Sequence, residues 1–187
     1  MDIFGQCITL SFLRRHNNHV RSESIPTMSD DTNSFIGELS KIVNEENLEI
    51  GKNIGIDDFV LLNAGERTKI GNNSCIHSGS RVIGGGSLIM GNNSVVTYNC
   101  VLVTGYPEIT SHMSSRIPVE QKDTVRGIIE IGDEAFVGSN SVIMPDTQIG
   151  EGAVIAAMSY VDSDVPDWTV RYPDGSTKRR PKLAGYE

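Results

Sequence analysis

The 187-residue chain carries 16 Lys and Arg against 24 Asp and Glu, for a formal net charge of −8 and a pI near 5.0. That balance excludes a binder of nucleic-acid backbones, which needs a basic footprint, and no apolar run reaches the roughly 18 residues that cross a bilayer. Aromatic residues make up 6% and glycines number 19, so the length predicts one domain with a core of small and branched side chains.

Residues 1–33 show no period and read as a flexible leader, with Met28 a second possible start. His16 and His19 sit three apart, yet with no third ligand nearby they read as part of a solvated tail. The mildly apolar stretch 3–13 follows Asp2 and precedes Arg14-Arg15, the wrong polarity for a secretory signal. Cys7, Cys75 and Cys100 have no metal-ligand spacing, and their odd number fits a reducing compartment. A soluble cytoplasmic protein is expected. Over 34–45, Phe35, Ile36, Leu39, Ile42 and Val43 fall on one helical face, with Asn33 or Ser34 as N-cap, which predicts a short capping helix.

From residue 48 to 161 a phrase returns: Ile50-Gly51-Lys52-Asn53, Ile70-Gly71-Asn72-Asn73, Met90-Gly91-Asn92-Asn93, Ile131-Gly132-Asp133-Glu134 and Ile149-Gly150-Glu151-Gly152, spaced by 20, 20, 41 and 18 residues. Within it, six-residue units begin with an aliphatic residue, as in Ile70, Ile76, Val82 and Ile131, Val137, Ile143. A small residue stands fifth, such as Ser74, Ser80, Cys100 or Ala135. Period six suits neither a helix face nor an alternating strand. It suits a prism of short parallel strands, three per turn, whose coils bury their aliphatic positions only by stacking. The expected fold is therefore all-β, a left-handed parallel β-helix of about five coils. Gly51, Gly71, Gly91, Gly132, Gly138 and Gly150 read first as corner residues.

Two irregularities stand out. An excess of about 20 residues, the loop 105–126, interrupts the repeat and carries Tyr106, His112, Arg116 and Glu120; a long loop on a regular scaffold is usually functional. After the coils, the tail 162–187 contains Trp168 and then a basic cluster of Arg171, Lys178, Arg179, Arg180 and Lys182, suited either to a phosphorylated cofactor or to solvent.

The coils, the loop exit Ile117-Pro118-Val119-Glu120, the phrase Val137-Gly138-Ser139-Asn140-Ser141-Val142-Ile143-Met144-Pro145 and the phrase Ile149-Gly150-Glu151-Gly152-Ala153-Val154-Ile155 resemble the hexapeptide-repeat acyltransferases, above all the sugar O- and N-acetyltransferases. The resemblance covers about residues 48 to 168. It implies a homotrimer that binds acetyl-CoA between adjacent prisms, uses no metal, and acetylates a hydroxyl or amine of a sugar or nucleotide-sugar, as in surface polysaccharide synthesis. A histidine would be the general base, an assignment open between His77 and His112. Backbone N–H groups at the corners would stabilise the oxyanion. Gly138, Ala156 and Ala157 would let the pantetheine arm lie along the last coils, Lys178 and Arg180 would meet its nucleotide phosphates, and Tyr106 and Glu120 would touch the acceptor. Two places where many relatives carry histidine read Thr97-Tyr98 and Gly105-Tyr106 here, and the phrase after Trp168 also departs from theirs. These departures motivate a second reading, a β-helix scaffold without chemistry. A metal-dependent hydratase of the same fold, the third reading, would need three converging histidines.

Overall fold

The computed structural model describes residues 33–108 and 113–182. The chain winds into a three-sided parallel β-helix. Its first face stacks Phe35–Ile36, Gly55–Ile56, Cys75–Ile76, Val95–Val96, Phe136–Val137, Val154–Ile155 and Thr169–Arg171 in parallel, and Thr177–Arg179 closes that sheet as an antiparallel edge. The second face runs from Lys41–Val43 to Tyr160–Val161, and the third from Leu48–Ile50 to Thr147–Ile149.

The six-residue period becomes three inward columns. Ile56, Ile76, Val96, Val137 and Ile155 fill the first; Leu62, Val82, Leu102, Ile143 and Val161 the second; Ile70, Met90, Ile131 and Ile149 the third, all of them fully buried. Each such side chain contributes about 1.5–3 kcal/mol when removed from water. The small fifth residues close the corners: Ser80 Oγ donates to the Thr97 carbonyl at 2.7 Å and accepts from the Cys100 N–H at 3.1 Å, so the buried hydroxyl ties neighbouring coils together.

Corners are built by left-handed residues. On the edge between the third and first faces, Asn53, Asn73, Asn93, Glu134, Gly152 and Trp168 all have positive φ, a conformation Asn tolerates better than most side chains. Their amides form a ladder along the axis, Asn33 to Asn53 at 2.9 Å, Asn53 to Asn73 at 2.9 Å and Asn73 to Asn93 at 3.1 Å, each Nδ2 donating to the next Oδ1.

The predicted helix over 34–45 is absent. Phe35–Ile36 and Lys41–Val43 are strands of a further coil, in register with Gly55–Ile56 and Leu61–Asn63. The reason is that Ile36 and Ile42 already continue the six-residue spacing, and that a helix of 12 residues is marginal in water while the open sheet edge offers hydrogen bonds and an apolar column. With this coil and the one ending in Thr169–Arg171, seven parallel strands rather than five line the first face.

The long loop leaves the edge between the second and third faces as an antiparallel pair, Gly105–Pro107 with Thr124–Arg126, and includes a short 3-10 turn, Val119–Gln121. The glycine-rich side makes room for it. Gly84 has φ 113° and would drive a Cβ into the Gly105 backbone; a Cβ on Gly86 would meet the carbonyl oxygens of Thr104 and Gly127. Arg126 then pairs with Glu66 at 3.5 Å, an exposed contact across the loop base.

Candidate active site

The residue that follows each strand of the first face points outward at the edge shared with the second face. Because Ile56, Ile76, Val96, Val137 and Ile155 are in register, the next residues form one column: Asp57, His77, Thr97, Gly138 and Ala156. Coils lie about 4.8 Å apart, so residues 20 apart in sequence touch. His77 Nδ1 lies 3.0 Å from Asp57 Oδ2. An ionised carboxylate only accepts, so Nδ1 carries the proton and donates, and in the neutral ring the lone pair is on Nε2, the atom suited to take a proton. Nε2 lies 3.6 Å from Cys75 Sγ. The His77 side chain is 9% exposed, and Tyr98 stacks on it with ring centroids 4.9 Å apart and planes 18° from parallel.

Above His77 the column narrows. Thr97 Oγ1 donates to the Val137 carbonyl at 2.7 Å and accepts from Ser139 Oγ at 3.1 Å. Gly138 is buried against the next coil, where a Cβ would lie 2.5 Å from the Ala157 nitrogen and 2.7 Å from the Ile155 carbonyl oxygen. Ala156 is half-buried and Ala157 exposed, so Gly138, Ala156 and Ala157 put no large side chain on this column and its neighbour at the upper coils.

Other sequence candidates lie elsewhere. Tyr106, half-buried opposite Val125, and Glu120, exposed in the 3-10 turn, belong to the loop that leaves a different edge of the same chain. His112 lies outside the described residues, as do His16 and His19. Lys178 is exposed on the terminal strand opposite Val170. Arg180 folds back instead: its Nη1 donates to the Gly152 carbonyl at 3.1 Å and its guanidinium lies 5.6 Å from the Trp168 ring, with Lys182 Nζ 5.0 Å from the same ring. In the turn between these strands, hydrogen bonds from the N–H and hydroxyl of Ser176 hold the Asp174 carboxyl below its usual range. Among the described residues no three of His, Cys, Asp and Glu gather as a metal site.

Asp57 and Ser139 were not singled out from the sequence. The signal for Asp57 was present in the 20-residue period, which sets it one coil from His77.

A family model, bacterial transferase hexapeptide (six repeats), matches residues 129–163. The dTDP-4-amino-4,6-dideoxy-D-glucose acyltransferase of Escherichia coli is 30% identical over 129 residues, 67% of this chain and 67% of that protein. The chain belongs to the hexapeptide-repeat acyltransferases. AntD, an N-acyltransferase from Bacillus cereus in complex with dTDP and 3-hydroxybutyryl-CoA, matches this acyltransferase with a TM-score of 0.73 at 26% identity, covering 80% of this chain and 81% of that one. A variant of AntD in complex with dTDP-4-amino-4,6-dideoxyglucose and coenzyme A matches at 0.73 and 25%, covering 80% and 81%. A hexapeptide-repeat acetyltransferase from Vibrio cholerae, at 21% identity and 0.53 over 79% and 76%, shares the fold.

Proposed function

We propose that the protein transfers a short acyl group, such as acetyl, from acyl-CoA to the amine of a nucleotide-linked amino sugar of the dTDP-4-amino-4,6-dideoxyhexose class, with His77 as general base. The observation that carries this reading is the Asp57–His77 pair at the foot of an edge lined by Gly138, Ala156 and Ala157, in a chain similar to enzymes named for that acceptor and solved with that donor.

The amine nitrogen attacks the thioester carbonyl carbon and its proton passes to His77 Nε2. The tetrahedral oxyanion is stabilised by corner N–H groups, the C–S bond breaks, and the imidazolium returns the proton to the CoA sulfur. Asp57 holds the tautomer that leaves Nε2 free to accept and stabilises the imidazolium between the two transfers. Gly138, Ala156 and Ala157 offer the pantetheine arm a floor of small residues, and the exposed Lys178 supports a contact to its phosphates.

The assembly in this reading is a homotrimer. Its support is the exposed apolar side chains at the two ends of the edge that carries His77, Leu39 and Phe59 at the foot and Met158 at the top, with Tyr160 on the adjoining strand, each more than half exposed, and the need for a neighbour to bring a loop bearing Tyr106, His112 and Glu120 to that edge. Acyl-CoA and sugar nucleotides are cytosolic metabolites, so the cytoplasm is the compartment and an acylated sugar for surface polysaccharide the product.

Purified protein incubated with acetyl-CoA and dTDP-4-amino-4,6-dideoxyglucose should release CoA thiol and yield an acetylated sugar by mass spectrometry. His77→Ala should abolish both and His112→Ala should not. Loss in His112→Ala alone would move the base to the loop; no thiol release and no CoA binding by the unaltered protein would leave the scaffold reading.

A further inference from the structure

His77 is a base only if its ring stays in one plane, and its contacts at the ring edges, Asp57 at Nδ1 and the Cys75 sulfur 3.6 Å from Nε2, do not fix that. The ring–carbon torsion of histidine has a broad, roughly two-fold profile, so an imidazole held only at its edges can still tilt and carry Nε2 out of line. The first face supplies a further constraint, against the ring face, from one coil higher. Tyr98 follows Thr97, and its ring reaches down over the imidazole to stack at 4.9 Å and 18°. One ring face of the tyrosine is thus engaged, yet the residue is 43% exposed, so an apolar body has been left at the surface in contact with the His77 imidazole. Its two adjacent neighbours in the same corner column, Ser78 and Ser139, are small, so no packing need of the coil calls for an aromatic there. Among the described residues the phenol hydroxyl makes no hydrogen bond within the chain, which leaves the ring as the working part.

We infer that Tyr98 is a positioning residue for the transfer reaction: its ring, not its hydroxyl, holds the His77 imidazole in the plane that presents Nε2 to the acceptor amine. Asp57 fixes the tautomer and one edge of the ring, and Tyr98 fixes the tilt. The inference rests on His77 being the base, as proposed above. Misplacing a catalytic group by about an ångström costs up to 10²-fold in rate, so even partial freedom of the imidazole is expected to show.

The test uses the full chain and two variants. Tyr98→Phe keeps the stacked ring and should keep kcat within about twofold, whereas Tyr98→Ala should lower kcat about tenfold or more with KM for acetyl-CoA and for the amino sugar little changed, the pattern of a group that acts through orientation. A second readout needs no turnover. In proton NMR the His77 ring protons should be shifted upfield by the tyrosine ring current in the unaltered protein and in Tyr98→Phe, and return toward ordinary positions in Tyr98→Ala while the melting temperature stays the same. Unchanged kcat in Tyr98→Ala overturns the inference, as does a loss in Tyr98→Phe equal to that in Tyr98→Ala, which would make the hydroxyl the acting group. Absence of any acyl transfer by the unaltered protein would sink the base assignment and with it this role, and that outcome is told apart because the ring-current shift would persist without activity.

Discussion

Asp57 Oδ2 lies 3.0 Å from His77 Nδ1 although the two are 20 residues apart. The contact is produced by the repeat: one turn of the helix carries the chain back to the same edge, one strand spacing higher. The carboxylate is half-buried and the imidazole buried, so the bond is shielded from water and bears on which imidazole nitrogen holds the proton.

Asp57→Asn should therefore lower kcat far more than it lowers stability. An amide can accept from Nδ1–H but can also donate to an unprotonated Nδ1, and it lacks the charge that stabilises the imidazolium. A loss of roughly 10²-fold or more is expected on that ground, read from steady-state acyl transfer with KM unchanged. Activity within a factor of three of the unaltered protein would show that the pair has a structural role only.

Cys100 should be silent toward thiol reagents in the native protein. Burial pushes its thiol above the ordinary thiol range, and the side chain is inaccessible among the inward corner residues. Titration with a disulfide reagent near pH 8, followed residue by residue with mass spectrometry, should label Cys100 only once denaturant is added. The same shift predicts a direction for stability. The folded thiol keeps its proton while the unfolded one ionises, so the folded state loses ground as pH rises past about 9, and denaturant midpoints should fall there.

Gly84→Ala should destabilise the loop base. With φ at 113° and the Gly105 backbone where a Cβ would fall, the substitution combines strain with a backbone collision that no side-chain motion relieves. About 3 kcal/mol is expected, read as a lowered denaturant midpoint at unchanged slope. A variant as stable as the parent would mean that the loop can lift off its coil without cost.

Along the asparagine ladder, Asn73→Ala and Asn73→Gly should separate two effects. Both remove the amide bonds to Asn53 and Asn93, worth about 0.5–1.5 kcal/mol each, but only alanine also strains the left-handed corner at φ 57°. The alanine variant should be the less stable of the two by roughly 1 kcal/mol. Equal stability would assign the corner preference wholly to the ladder.

How the sequence misled, and how it did not, turns on particular residues. Positions 35, 36, 39, 42 and 43 satisfy a helical stripe while two of them, 36 and 42, also continue the six-residue repeat, and the local pattern cannot separate the two readings. The neighbouring coil decided between them, because Gly55–Ile56 and Leu61–Asn63 present open edges in register with that stretch. Trp168 stands in the tail that follows the repeated coils. It lies against Gly152 at a left-handed corner, and its ring gathers Arg180 and Lys182, which spacing alone could not foresee.

By itself the sequence determined the coil, because a six-residue rhythm of aliphatic and small residues has one way to hide its aliphatic side chains: stacked turns around a shared axis. It likewise determined which residues stand outward at each edge. Only the tertiary structure decided which of those outward residues meet, since a 20-residue separation becomes a 3.0 Å contact once coils stack in register and side chains choose their rotamers. Asp57, His77 and Tyr98 are distant along the chain and adjacent across it, and it is the strand spacing of the stack that makes them neighbours.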